Sequence, residues 1–512
     1  MSSSSLKDHY ETGISSDSKS PSELEASVGA AEDRFASIDR KALMRRVDIA
    51  ILPWTLLTYM VVRLDLNNIN NAGTLNKETG HSLKQMLDLD AQQWAWVVAC
   101  FYYTYMFIEP PATLLVKKYS PSTWLARIMV SWGAVMACMA AVKNYGGLIT
   151  CRVLLGLLEG SFFPAIIFQW SFWYLPSEMA PRVLYLYIAN VSSGGFSGLI
   201  AYGISYANSK TIAGWQVLFI TEGLLTVALG IGTYFILPDW PSTSKWLTPL
   251  QREYLETHLH KDSPKLKGKT FDWTEIRAML ADPTFFLFTG FWACWSVSAW
   301  GASTMQTFLI LDLGVADSRG TQLLQLPPAA TGVMICLVSA LLIRKFHVSP
   351  FLCALGIVGG AFISFIVLLK APQAGVRFAA LCVITGSAPS AYACLWPRRV
   401  ASLRGTSAAA LGVGLLNAIS QFSGILGPQL WRTDYAATRY ANSCKAAIAF
   451  TGAAFLIVCA LWYLMEGNIS WSPYLRTHVL AQTQLTDADK EAEARGETVG
   501  AGAGDGEKQL QR

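Results

Sequence analysis

Long apolar runs almost free of charge dominate this chain, and they restrict its folding more than any other feature. Of its 75 charged side chains, 41 fall in three polar segments, Met1–Arg46, Pro238–Pro283 and Gly467–Arg512, so the other 374 residues hold only 34. Overall 52% of residues are hydrophobic and 15% charged, where a soluble domain carries about 25% charged residues. Folding such runs in water would require an implausibly large buried core, whereas a bilayer needs about 20 apolar residues per crossing helix. Runs of that length read at Ile49–Ala72, Gln93–Val116, Trp124–Val142, Leu148–Phe172, Leu184–Ala207 and Gln216–Leu237, and again at Thr284–Leu311, Leu323–Ile343, Pro350–Leu369, Arg377–Trp396, Ser407–Leu430 and Ala446–Met465. The expected fold is therefore an all-α membrane protein of twelve transmembrane helices in two six-helix bundles. The expected organisation is a disordered cytosolic tail (1–46), a first bundle (47–237), a cytosolic linker (238–283), a second bundle (284–466) and a second disordered tail (467–512).

Several function classes are disfavoured by what the residues lack. A net charge of only +5 gives no unopposed basic face for nucleic acid. The ten cysteines lie almost all in apolar runs, which does not suggest a disulfide framework. No Gly-rich loop with Lys-Ser/Thr, no His/Cys metal spacing and no Ser/His/Asp set in a plausible context is found, so neither an enzyme nor a bound cofactor or metal is expected. The first 46 residues, Ser-rich and of mixed charge, do not resemble a cleavable signal peptide.

Two further patterns organise the chain. Leu114-Leu115-Val116-Lys117-Lys118-Tyr119 leaves the second run, and Leu341-Leu342-Ile343-Arg344-Lys345-Phe346 leaves the eighth. Equivalent signatures at equivalent places fit duplicated halves. Arg40, Lys41, Arg45, Arg46, Lys117, Lys118, Arg127, Arg182, Arg344, Lys345, Arg398, Arg399 and Arg404 all fall on one side if both termini are cytosolic, the side that retains basic loops. Arg432, Arg439 and Lys445 run against this pattern.

Ionisable residues inside spans are costly, by about 2.5 to 3.5 kcal/mol at the bilayer centre on insertion scales, and so usually have a partner or a task. Those singled out here are Asp65, Glu109, Arg152, Glu159 and Glu222, all in the first half. Arg152 and Glu159 are nearly two helical turns apart and share a face. Gly156 and Gly160 form a small-xxx-small pair that admits a neighbouring helix. Glu109 precedes Pro110 and Pro111, which leaves open either an unwound helix or a plain helix end. Glu222, close to a loop, reads as structural. All six histidines lie outside the spans, which argues against a membrane histidine relay.

These residues carry a resemblance. Leu64-Asp65-Leu66-Asn67-Asn68-Ile69-Asn70-Asn71-Ala72 resembles the Leu-Asp-Arg-x-Asn-Ile-Gly-Asn-Ala signature of the fungal allantoate and nicotinate permease group. That group belongs to the anion:cation symporter family of the major facilitator superfamily. Glu109-Pro110-Pro111 is similar to its second-span Glu-x-Pro, and Arg152 to Gly160 to its fourth-span Arg/Glu region in shortened register. Leu237-Pro238-Asp239-Trp240-Pro241 with Lys245-Trp246-Leu247-Thr248 resembles its motif after the sixth span, and Gly424 to Gln429 the end of its eleventh. The resemblance implies a major facilitator fold and a carrier of small organic anions or related nutrients. It further implies Asp65 and Arg152 as a coupling pair and Glu159 as a proton and substrate sensor. Leu66 stands where the family has Arg, which implies a less anionic or bulkier substrate.

The function expected is secondary active transport of a small organic solute by alternating access, by proton symport, with Asp65, Arg152, Glu159 and Glu109 coupling substrate to proton and Asn68, Asn71 and Leu66 lining the site. The partners expected are the solute, the coupling proton and the bilayer, for a monomer in the plasma membrane. Export of a secondary metabolite or toxic compound is the alternative in the same class, and a transporter-like nutrient receptor the alternative outside it.

Overall fold

The computed structural model describes residues 35, 38–116, 120–170, 172–206, 212–259, 273–402 and 406–466. Most of the expected tails, the Lys265/Lys267/Lys269 stretch and the Lys117-Lys118 pair lie outside them, while residues 40–46 of the expected first tail form the start of the first helix. The described residues are helical, and twelve crossings follow in order. The first half holds Arg40–Thr74, Ala91–Val116, Pro121–Met139, Tyr145–Glu159 continued by Phe162–Trp170, Pro176–Ile204 and Gly214–Ile236. The second holds Pro283–Trp295 continued to Asp312, Leu326–Lys345, Pro350–Lys370, Ala374–Ser402, Thr406–Ser420 continued by Phe422–Leu430, and Ala441–Glu466. Eight of these helices are each long and apolar enough to cross a bilayer.

Local chemistry sets where the helices begin. Asp39 accepts from the backbone N–H groups of Lys41 and Ala42, Asn144 from Gly147, Asp282 from Thr284 and Ser349 from Phe351, each satisfying donors that a helix start leaves unpaired. Pro121, Pro283 and Pro350 occupy the first turn, where the missing N–H costs nothing.

Packing turns polar faces inward and apolar ones out. Phe107, Phe235 and Leu456 are 72%, 77% and 69% exposed, an arrangement that suits a hydrocarbon surround. Within the first half the second span lies against the fourth at Gly156, where a Cβ would collide with Thr104 Oγ1 and the Phe101 carbonyl oxygen. Gly160 meets Ile108 one turn on, so the small-residue pair admits the second span. Gly156→Ala is therefore expected to destabilise the purified protein by about 1 to 3 kcal/mol through overpacking, read as a lower unfolding midpoint in detergent; an unshifted midpoint would show that the helices separate freely.

The stretch after the sixth span is fastened to the first half. Asp239 Oδ1 accepts from the Ser122 backbone N–H at 2.7 Å, the Pro238 carbonyl accepts from Gln169 at 2.9 Å, and Trp173 stacks on Trp246 with centroids 5.7 Å apart. On the same end of the molecule, Arg182 makes a two-pronged pair with Asp48 at 2.8 and 2.9 Å, tying the fifth span to the first.

The two halves meet where the fifth span packs on the eighth and the second on the eleventh. On the face opposite the termini this seam is dense with hydrogen bonds. Asn70 donates to the Thr304 carbonyl at 2.7 Å, Gln322 to Thr74 Oγ1 at 3.0 Å, Lys84 to Thr433 Oγ1 at 2.8 Å and Gln92 to Gln429 at 3.2 Å. Ser318 donates to Glu78 through both backbone N–H and hydroxyl, and Arg432 to Gln92. Towards the termini, the side-chain hydrogen bond seen between halves among the described residues is Asn417 to Glu109, at 3.1 Å.

Candidate functional site

Between the halves lies a cavity of about 170 Å³. Tyr59, Arg63, Leu66, Asn67 and Asn70 contribute one wall, a stripe recurring at the three- and four-residue steps that place side chains on one helical face. Tyr102, Tyr105 and Glu109 repeat the pattern on the second span, and Tyr187 and Asn190 line it from the fifth. Opposite stand Trp292, Trp300, Gln325, Tyr392, Trp396 and Asn417.

The aromatic part of that second wall depends on an irregularity. The seventh span carries a π-helical turn over Ser296–Trp300. On a regular helix, positions 292 and 300 would point about 80° apart. The wider turn, stepping by about 80° per residue instead of about 100°, brings them back almost into line. Trp292 and Trp300 both reach the cavity as a result, and Tyr392 touches both, stacked on Trp292 with centroids 4.8 Å apart and tilted against Trp300 at 5.7 Å.

Among the described residues that line the cavity, two are charged, Arg63 and Glu109. Arg63 donates from Nε and Nη2 to the Tyr59 hydroxyl at 3.0 and 2.7 Å, with the guanidinium 5.0 Å from that ring's centre. A guanidinium has five N–H donors in a fixed fork, so three remain for a ligand. Glu109 accepts from Asn417 through Oε1, while its buried Oε2 has no partner.

The residues singled out from sequence divide between this cavity and the interior of the first half. Leu66 and Glu109 line the cavity. Asn68 and Asn71 do not: Asn68 turns to Glu222 and Ser197, and Asn71 to Ser197, Thr307 and Gln325. Their neighbours Asn67 and Asn70 take the lining positions, because one residue along a helix is a turn of about 100°. Asp65, Arg152 and Glu159 are buried in the first half, at 8%, 2% and 2% exposure. Asp65 Oδ2 accepts from Trp132 Nε1 at 3.0 Å and from Thr226 at 3.3 Å. Arg152 donates to the Val97 carbonyl at 3.1 Å and lies 4.7 Å over the Phe101 ring. Asp65 and Arg152, implied as a pair, thus make no ion pair in this structure, each being held by neutral groups. Asp65 Oδ1, Glu159 Oε1 and Glu222 Oε1 are buried without hydrogen-bond partners, so each carboxyl has an oxygen free to carry a proton.

Arg63 is absent from the site expected from sequence: three residues before Leu66 it lies closer to the membrane centre, and a residue so placed need not point at the same pocket. The signal was present in its spacing from Tyr59 and Asn70, four and seven residues away. The shared wall also sharpens an expectation for Leu66→Arg, which sets a second guanidinium beside the first. Affinity for small dicarboxylates should rise about ten-fold, as a charge-assisted contact allows, and the native solute should bind worse. Transport measured per molecule of surface protein checks this; unchanged selectivity at normal expression would remove position 66 from the contact surface.

Comparison with known proteins gives this geometry a setting. The profile described as Major Facilitator Superfamily matches residues 55–428. The uncharacterized transporter C1683.12 of Schizosaccharomyces pombe is 31% identical over 366 residues, covering 70% of this chain and 74% of its own. A thiamine pathway transporter of Saccharomyces cerevisiae is 27% identical over 408 residues, 78% of this chain and 74% of its own. Among solved structures, a bacterial homolog to the human lysosomal transporter Spinster, in an inward-facing and occupied conformation, aligns with a TM-score of 0.59 at 13% identity, over 82% of this chain and 98% of that one.

Proposed function

The chain belongs to the major facilitator superfamily, and on that premise we propose that it imports a small organic anion by alternating access, driven by a co-transported proton. It is a multi-pass membrane transporter and not an enzyme, with a small molecule as cargo. The observation that carries the finer reading is the cavity between the halves, where Arg63, the single cation among the described residues that line it, stands among tyrosines, tryptophans and amides. Such a wall suits a carboxylate attached to a flat or partly apolar body: the guanidinium holds the charge in two prongs, and the rings cover the rest. The likeness to a protein named for the thiamine pathway supports a cargo of nutrient size.

The proton sites in this reading are the carboxyls with free oxygens, Glu159 and Asp65 within the first half and Glu109 at the cavity. Both termini, the two tails and the 238–283 linker face the cytosol, and the protein acts as a monomer in the plasma membrane. The test is uptake into proteoliposomes across a panel of vitamin-like acids, purine breakdown products and other monocarboxylates, with and without an imposed pH gradient. Accumulation that collapses when the gradient is removed is the expected result. Saturable binding without flux would make the protein a receptor, and extrusion in place of uptake would reverse the direction proposed.

A further inference from the structure

Glu222 lies on the sixth span, 2% exposed and outside the cavity wall, yet a chain of hydrogen bonds leads from it to the seam between the halves. Asn68 Nδ2 donates to Glu222 Oε2. Ser197 Oγ donates to Asn68 Oδ1 at 3.2 Å, and Asn71 Nδ2 donates to Ser197 Oγ at 2.7 Å. Asn71 Oδ1 in turn accepts from Gln325 Nε2 at 2.9 Å and from Thr307 Oγ1 at 3.1 Å, both in the second half. Every donor points the same way, from the second half towards the carboxylate. Bonds aligned in this manner polarise one another, and an ionised acceptor at the end makes its bond about twice as strong as a neutral one.

We propose that Glu222 is a positioning residue that links the proton state of the first half to closure of the seam on the face opposite the termini. This deepens, and rests on, the proton-coupled reading above. When ionised, Glu222 anchors the chain and holds the seam shut. When the coupling proton bonds to the free Oε1, Oε2 becomes a neutral carbonyl acceptor and the bond from Asn68 falls to about half its strength. The chain then loses its charged anchor, and Asn68, which presents Oδ1 to Ser197, is held less firmly. The spans packed on the sixth are the first, third and fifth. The charged group acting on Glu222 from them is Asp65; Asn68, itself bonded to Ser197, is the neutral polar residue in contact with it, and across the seam Thr307, Gln325 and Gln322 are uncharged.

Hydrogen exchange of the full chain in lipid nanodiscs, at about pH 5.5 and about pH 8 and corrected for intrinsic rates, tests this without needing a substrate. In the parent, residues 75–90 and 313–325 should exchange about ten-fold more slowly at the higher pH. Glu222→Gln keeps shape but offers only a neutral acceptor at every pH, like the protonated carboxyl, so its seam should exchange equally fast at both values. Glu222→Leu should be fast at both. His81→Gln, in the outer loop, should leave the parental response intact. A parental seam indifferent to pH, or a response that survives Glu222→Gln, overturns the proposal, as does a response abolished only by Asp65→Asn. Proton-driven uptake alongside an indifferent seam would spare the transport reading, while a responsive seam without proton-driven uptake would spare the seam coupling and overturn the transport reading.

Discussion

Replacing Arg63 by Gln is expected to raise the KM for the native solute ten- to hundred-fold while surface abundance stays near that of the parent. The guanidinium is the single positive group among the cavity-lining described residues, and a hydrogen bond to a charged group is worth about 1.5 to 3 kcal/mol. That range corresponds to roughly ten- to hundred-fold in affinity. Folding should tolerate the change, because the hydrogen bonds of Arg63 go to the neutral Tyr59 hydroxyl and its action on the buried Glu159 and Glu109 is through space, without a direct ion pair. Arg63→Lys separates charge from shape: an ammonium keeps the attraction but not the two-pronged fit, so its KM should fall between the parent and Gln. Uptake kinetics per molecule of surface protein settle the matter. A Gln variant with parental KM would mean that the solute does not meet Arg63.

The second large effect concerns energy coupling. If Glu159 carries the coupling proton, Glu159→Gln should reduce uphill accumulation to equilibration while solute exchange across the membrane persists. A monoanion crossing with one proton moves no net charge, so the drive is the pH gradient, about 1.4 kcal/mol or roughly ten-fold accumulation per pH unit. The whole of that factor is at stake. The amide fits the same space, and Oε1, which has no partner, loses no protein contact by the change. Proteoliposomes loaded with solute report exchange and those under a pH gradient report accumulation. Undiminished uphill uptake would place the proton elsewhere, with Asp65 and Glu109 the remaining carboxyls of the proposal.

What the sequence made legible was whatever depends on sums over many residues. Twelve apolar runs gave twelve crossings because the cost of a charge in lipid is large and repeated, and the Gly156/Gly160 pair could be read because helix spacing fixes its face. Phase was harder. Asn68 and Asn71 were expected at the site where Asn67 and Asn70 stand, since a signature marks a helix turn without saying which of its faces is wet. Glu222 read as structural because its distance from a loop is visible in sequence, whereas its bond to Asn68 joins residues 154 positions apart. The wall of the second half was illegible for a different reason. Breaks at Met305 and Gln421 and the turn at Ser296–Trp300 reset the helical count, so no periodic reading carries across them.

That last turn bears on how selectivity in such a protein is able to change. A π-helical turn houses one residue more than an α-helix needs, and here the surplus aligns Trp292 with Trp300. Removing one residue between 296 and 300 would return the span to ordinary winding with almost no loss of length and almost no rotation beyond it, since five steps of about 80° and four of about 100° sum alike. A deletion inside a membrane helix, commonly assumed ruinous, would in this place leave Trp292 and Trp300 facing the cargo, whereas rewinding the turn with all its residues kept would swing the rest of the span by about 100° and exchange the whole face offered to cargo in a single step.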